Sequence, residues 1–224
     1  MKKMISTLFD IEIFFETPCF YSVIIENKKL NYDVCRYLYN EFCDKNEYFA
    51  FFNDDKKLDI SNESAFIYNL FSLDLNTKKN INALYKILKK TIPETLQDDI
   101  KNIRESIFEV VKKISLEFEI ELNVNSEIRE DDLFKIIDLR FSENDDSLLL
   151  RFKKYIETIY ELINIKVFFT YRLHEYFEKD ELNLLTHELF YKNISIINIE
   201  QSNNFEKTRD ETFVIVDHDL CVIE

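Results

Sequence analysis

The chain contains no glycine and no tryptophan in its 224 residues, and only two prolines. A loop that cradles phosphate needs glycine, because a Cβ blocks close approach of successive backbone N–H groups and disfavours positive φ. The patterns G-x-x-x-x-G-K-[ST] and G-x-G-x-x-G are therefore excluded, as is a nucleophile elbow of the G-x-S-x-G type. No nucleotide cofactor is expected, and ordinary nucleotide hydrolysis is not the activity this sequence suggests. Cysteine is sparse as well. Cys19, Cys35, Cys43 and Cys221 form no C-x-x-C and no Cys/His ligand spacing, the usage of a reduced, cytoplasmic protein with buried or neutral thiols. No apolar run approaches the roughly 20 residues needed to span a bilayer, so no membrane partner is expected. Lys2 and Lys3 open the chain, but Asp10, Glu12 and Glu16 interrupt the apolar stretch after them, unlike a signal peptide.

What is present is charge, unevenly placed. The formal net charge is −14, which taken alone argues against a nucleic-acid partner. Residues 1–110 carry 15 basic and 18 acidic groups, whereas residues 111–224 carry 14 and 25. Between 117 and 146 there are 11 acidic and 3 basic residues; between 76 and 113 the balance is 9 basic to 5 acidic. A uniformly solvated acidic surface would not segregate its charge in this way.

Hydrophobic content of 46% suffices for a sizeable core. Residues 20–25 form a β-branched and aromatic run suited to a buried strand, with Asn27 a turn or cap and a helix over 29–43. Strands are expected at 48–52 and 58–60, and a helix over 63–72. The middle is helical: Thr77 precedes a helix to about 91, which Pro93 helps to end, and a second helix reaches about 122. Its apolar positions Ile100, Ile103, Ile107, Val110, Ile114, Phe118 and Leu122 step by threes and fours. Shorter helices come next, at 130–138 and from 145 or 146 to 163. The two near-heptad seams suit a projecting helical bundle, or equally core helices of one domain. Strand-like 165–171, helical 178–191, and strand-like 194–199 and 212–216 then read as a βαβ arrangement. The fold class is α/β, with the sheet drawn from both ends of the chain and helices inserted between.

Lysines come in doublets that hold 14 of the 22. On the helix from 77 to 91, a turn of 100° per residue puts Lys79, Lys86 and Lys90 within about 40° of one another, opposite Ile81, Leu84 and Leu88. Such a stripe is either the wet face of an amphipathic helix or a sequence-independent set of phosphate contacts. Repeated around a closed ring it becomes a basic collar. The acidic tract is either a solvated face or a site for a hard cation such as Ca²⁺. It can also be read as a two-metal nuclease site, though no nuclease motif stands beside it. His218 lies between Asp217 and Asp219 near Cys221, as expected of a turn beyond a strand. His174 and His187 have no evident partners.

Several short segments, in order along the chain, resemble a known family. They are Leu8–Phe9–Asp10; Tyr21–Ser22–Val23–Ile24–Ile25–Glu26–Asn27; Phe71–Ser72–Leu73–Asp74–Leu75–Asn76; Asp138–Leu139–Arg140–Phe141 with Ser147–Leu148–Leu149; and Val214–Ile215–Val216–Asp217–His218–Asp219–Leu220–Cys221. Together they resemble the ring-forming DNA-binding adaptation protein of type II-A CRISPR systems, in a short form. The resemblance implies an α/β head over 1–75 and 164–224, with a mixed sheet, flanking helices and a nucleotide-binding-like fold lacking its phosphate loop. It implies a helical leg over 76–163, a homotetrameric ring, and non-catalytic, calcium-dependent binding of linear double-stranded DNA at its ends. Lysines would line the hole, with Lys28, Lys29, Lys56, Lys57, Lys79, Lys86, Lys90, Lys112 and Lys113 the candidates. Glu119, Glu121, Glu127 and Asp132 would hold calcium, weakened where Asn123 and Asn125 replace carboxylates. The CRISPR integrase pair and the RNA-guided effector nuclease would be its partners in spacer acquisition. The alternatives are a metal-dependent nuclease using the acidic tract and an interaction protein that binds no DNA.

Overall fold

The computed structural model describes residues 2–40, 47–116, 130–142 and 147–223, with the backbone alone at 130 and 131. It is a mixed α/β structure of two units, Met1–Leu73 with Asp145–Glu224, and Asp74–Asn144.

The first unit opens with strands β1 (Lys2–Ser6) and β2 (Ile11–Phe14), then β3 (Phe20–Ile25) and helix α1 (Lys28–Tyr39). Strands β4 (Ala50–Asn53) and β5 (Lys56–Leu58), the one-turn helix α2 (Ile60–Glu63) and strand β6 (Ser64–Ile67) come next. After the second unit come α6 (Leu148–Ile163), β7 (Val167–Tyr171), α7 (Lys179–Tyr191), β8 (Ser195–Glu200), β9 (Glu211–Val216) and β10 (Val222–Ile223), the numbering of the helices leaving three for that unit. One sheet is antiparallel, in the order β2-β1-β4-β5; the other has the order β10-β9-β3-β8-β7-β6. In the second sheet β9, β3, β8, β7 and β6 are all parallel, and only β10 runs against them. Parallel strands are covered on both faces and so read as continuous apolar runs. Phe20–Ile25 and Ser195–Glu200 are buried at nearly every residue, with the polar Ser22, Asn198 and Glu200 among the buried.

One face of the six-stranded sheet, through Val23, Ile25, Val167, Phe169, Ile197, Ile199, Val214 and Val216, packs on α1 and the antiparallel sheet. Phe169 sits at its centre, with ring centroids 5.0 Å from Phe49 and 6.5 Å from Phe51. Helix α6 buries Phe152, Ile156 and Ile159 in this same unit. Phe152 stacks on Phe177, and Lys153 pairs with Glu188 of α7 at 2.7 Å. The expected leg over 76–163 includes this helix; its contacts tie it to α7 instead.

Two residues, Glu26 and Asn27, join β3 to α1. Asn27 Oδ1 accepts from the N–H groups of Lys29 and Leu30, and its amide donates to the carbonyl of His218. The amides that an anion takes at a helix start are thus occupied by the chain's own side chain.

The second unit contains α3 (Lys78–Thr91), capped by Thr77 as its sequence suggests, α4 (Gln97–Ser115) and α5 (Glu130–Ile136). Tyr85 of α3 packs on Phe134 of α5 at 5.5 Å and donates to the carbonyl of Leu139. Asn76 closes the unit by a paired contact, accepting from Phe141 N at 2.8 Å and donating to Phe141 O at 3.2 Å. Helix α4 buries none of its residues; its apolar seam is present, with Ile103, Val110 and Ile114 about half exposed.

One expected element differs in kind. The helix expected over 63–72 is instead α2, strand β6 and a 3-10 turn at Leu70–Ser72. Ser64–Ile67 pairs with β7, about 100 residues onward, in register Ser64↔Val167 to Ile67↔Thr170, and this distant partner overrides local propensity. Strand β1 carries no clear signal in the sequence. Its hydrogen bonds go to β2 on one side and β4 on the other.

Candidate functional site

The proposed phosphate contacts divide by element. Lys79, Lys86 and Lys90 all lie exposed on α3, and no carboxylate among the described residues pairs with them. A helical stripe of unspent ammonium groups is what phosphate binding needs, since each contact releases counterions from the duplex. Lys112 and Lys113 are exposed in the last turn of α4, where cations also suit the negative end of the helix dipole. In the first unit, Lys28 and Lys29 begin α1, at the positive end of its dipole, where cations are disfavoured. Lys56 and Lys57 stand on β5, the edge strand of the antiparallel sheet, and Lys57 is engaged by Glu47 at 2.6 Å. The structure therefore unites three of the nine lysines on one helical face and distributes the rest.

Of the expected calcium ligands, Glu119, Glu121 and Glu127 lie outside the described residues. Asp132 is described, and its carboxylate accepts from Lys135 Nζ at 2.9 Å. Among the described residues no group of three or more His, Cys, Asp or Glu side chains is placed to hold a metal ion. Among the described residues, Asp132 is thus the one expected calcium ligand, and its carboxylate is shared with a lysine.

His218 occupies a tight turn between β9 and β10, as its setting suggested. Asp217 Oδ1 accepts from the N–H groups of Asp219 and Cys221, and Leu220 takes a positive φ of 66°. Its imidazole is exposed, 4.0 Å from Glu26. Burial pushes the thiols of Cys19 and Cys35 up to about 11, so both are neutral; Cys221 is exposed, and Cys43 lies outside the described residues.

The chemistry that sequence reasoning missed is at His174. Its ring is buried, with Nδ1 2.9 Å from Glu200 and Nε2 3.2 Å from Glu211. Both carboxylates are buried too, at 4% and 0% side-chain exposure, so these are not solvent-screened surface pairs. Asn198 Nδ2 and His174 N also donate to Glu200 at 2.8 and 3.2 Å, while Ser22 Oγ and Thr208 N donate to Glu211. Burial pulls the imidazole pKa down, but the hydrogen bonds and charges of Glu200 and Glu211 outweigh it and lift the value to about 9. Burial acts on Glu211 in the opposite sense, and its hydrogen bonds to His174, Ser22 and Thr208 hold it below the ordinary carboxylate value. His174 is thus an imidazolium at neutral pH, donating from both ring nitrogens. Its partners lie 26 and 37 residues away in sequence, at the end of one strand and the start of the next; no local spacing connects them.

No helix among the described residues is long and apolar enough to cross a membrane. Fold and site define an α/β protein whose second unit presents a basic helical face. The family description "CRISPR-associated protein (Cas_Csn2)" matches residues 41–220, and the chain belongs to that family. Among solved structures, the ADP conformation of an ATP-binding cassette of an ABC transporter is similar at 11% identity. That likeness covers 91% of this chain and 82% of the other, with a TM-score of 0.43. The search of curated proteins found no match.

Proposed function

We propose that this CRISPR-associated chain binds the ends of double-stranded DNA, without catalysing a reaction on it, as a homotetrameric ring during spacer acquisition. The observation that supports this most is the exposed row of Lys79, Lys86 and Lys90 along one face of α3, paired with no carboxylate among the described residues, in a protein of net charge −14. Cations kept clear of carboxylates in so acidic a chain suit a polyanion, and a row along one helix suits a backbone rather than a base sequence. In a ring the row recurs from each protomer. Glu119, Glu121, Glu127 and Asp132 are assigned to calcium that supports assembly, and the partners are the integrase pair and the RNA-guided effector nuclease, in the cytoplasm.

Gel-shift binding to linear and covalently closed circular duplexes of one sequence, with Ca²⁺ or chelator and parallel sizing, tests the reading. Calcium-supported binding of linear DNA alone, by a species of four protomers, is expected. Equal binding to circles would replace the threaded ring with a surface groove. Degradation of either DNA in Mg²⁺ or Mn²⁺, abolished by Glu119→Ala with Glu121→Ala, would favour a nuclease.

A further inference from the structure

Strands β8 and β9 flank β3 on opposite sides and both run parallel to it. The chain must therefore return from the end of β8 to the start of β9, a path of about 20 Å for strands of this length. Parallel crossovers normally use a helix for this. Here residues 201–210 make the return with no helix or strand.

The two residues that bound this strap are Glu200 and Glu211, and both bond to the one imidazole of His174. The strap's own middle lies on the same ring: Phe205 stacks on His174 with centroids 3.7 Å apart and an interplanar angle of 15°. Phe20 of β3 stacks on it as well, at 6.0 Å. Thr208, the strap's one buried residue, adds two hydrogen bonds to Glu211. Elsewhere among the described residues the strap meets the fold through Lys179–Glu206 at 3.7 Å, Arg209 N to Asn183 Oδ1 at 2.9 Å, Arg172 on Gln201, and Lys207, whose Nζ lies 2.8 Å from the Phe213 ring centroid.

We propose that the 201–210 crossover is a latch, held closed by the doubly protonated ring of His174, which ties both of its ends, and released when that ring gives one proton to solvent. A neutral imidazole has a single N–H. One of the two buried carboxylates must then face a nitrogen lone pair, and an unpaired buried charge is strongly unfavourable. The groups that face His174 are Glu200 from β8, Glu211 and Ser22 from β9 and β3, Asn198 from β8, and Phe205 and Thr208 from the strap. Beside it on its own turn, Arg172 is matched by Glu175 at 3.1 Å, so no second cation replaces the lost proton. Thr170, Asn198 and Ser22 form a polar row across β7, β8 and β3 beside this cluster. The sign comes from linkage: the closed ring holds its proton up to about pH 9, whereas the released ring loses it near the ordinary 6.5. The latch is strongest below pH 6.5, and its opening equilibrium rises about tenfold per pH unit up to pH 9, then levels off.

Two measurements on the full chain test this. Amide hydrogen exchange, corrected for intrinsic rates, is expected to show protection of residues 201–211 falling about tenfold per pH unit between 6.5 and 9, while β8 amides keep theirs. In His174→Gln the same amides are expected to exchange with little protection at every pH. The chain lacks tryptophan, so Phe205→Trp places the sole tryptophan, excited selectively over the tyrosines, on the imidazolium; its emission is expected to be quenched near neutrality and to brighten and shift red over the same range. Strap protection that is flat with pH in the wild-type chain, or that falls together with β8, would overturn the latch.

Discussion

Replacing Lys79, Lys86 and Lys90 together with glutamine removes three charges from one face of α3 without removing any ion pair among the described residues. The three positions lie within 11 residue steps, about 16 Å along the helix axis, long enough to track one backbone over several phosphates. Each phosphate contact contributes about 0.9 to the slope of log K against log salt. Three contacts per engaged protomer therefore make the parent slope steeper than that of the variant by about 2.7. Between 50 and 200 mM salt this difference amounts to roughly 40-fold in affinity per protomer. Anisotropy titration of a labelled linear duplex over a salt series measures it directly. Thermal unfolding serves as a control, because exposed substitutions of this kind change stability by no more than about 0.5 kcal/mol. Lys153→Gln is the matched comparison: Lys153 is held by Glu188 on α7, and its loss is expected to leave the slope unchanged. A triple variant with the parent's salt slope would refute the assignment of the α3 row to phosphate.

The first unit supplies further tests. Asn27→Ala removes the cap of α1 and the bond to the His218 carbonyl, and is expected to cost about 1–2 kcal/mol in urea unfolding; Lys28 and Lys29 make the uncapped end worse. Phe169→Ala empties the centre of the sheet core, where the ring is fully buried, and is expected to cost about 3–5 kcal/mol with an unchanged m-value. In a Cys43→Ser background at pH 8, a disulfide reagent is expected to modify Cys221 quickly, and Cys19 and Cys35 more slowly. Both are half-buried and their thiols neutral; labelling of all three at one rate would contradict this.

What was legible in the sequence was what local chemistry determines. Asn27 and Thr77 cap the helices after them because their side chains reach amides two and three residues on. Residues 20–25 and 194–199 announce buried parallel strands because both of their faces need apolar cover. The lysine spacing on α3 was visible because a helix converts sequence intervals directly into angles. The strands β1 and β6 were not visible: one is a short segment carrying two lysines, and the other depends on a register with β7 that no local pattern encodes. The His174 cluster was hidden for the same reason. Its two glutamates look solvent-facing in sequence, and only the β8–β3–β9 order brings the start of one strand and the end of another to one ring.

The central claim, a ring that admits duplex only through its ends, is tested most directly by trapping. A linear duplex is loaded with protein in Ca²⁺, both of its ends are then blocked by streptavidin on terminal biotins, and the complex is challenged with excess unlabelled linear DNA. The account predicts that blocked complexes outlive unblocked ones, and that cutting the duplex once between the blocks releases the protein. Equal dissociation with and without blocked ends would contradict it.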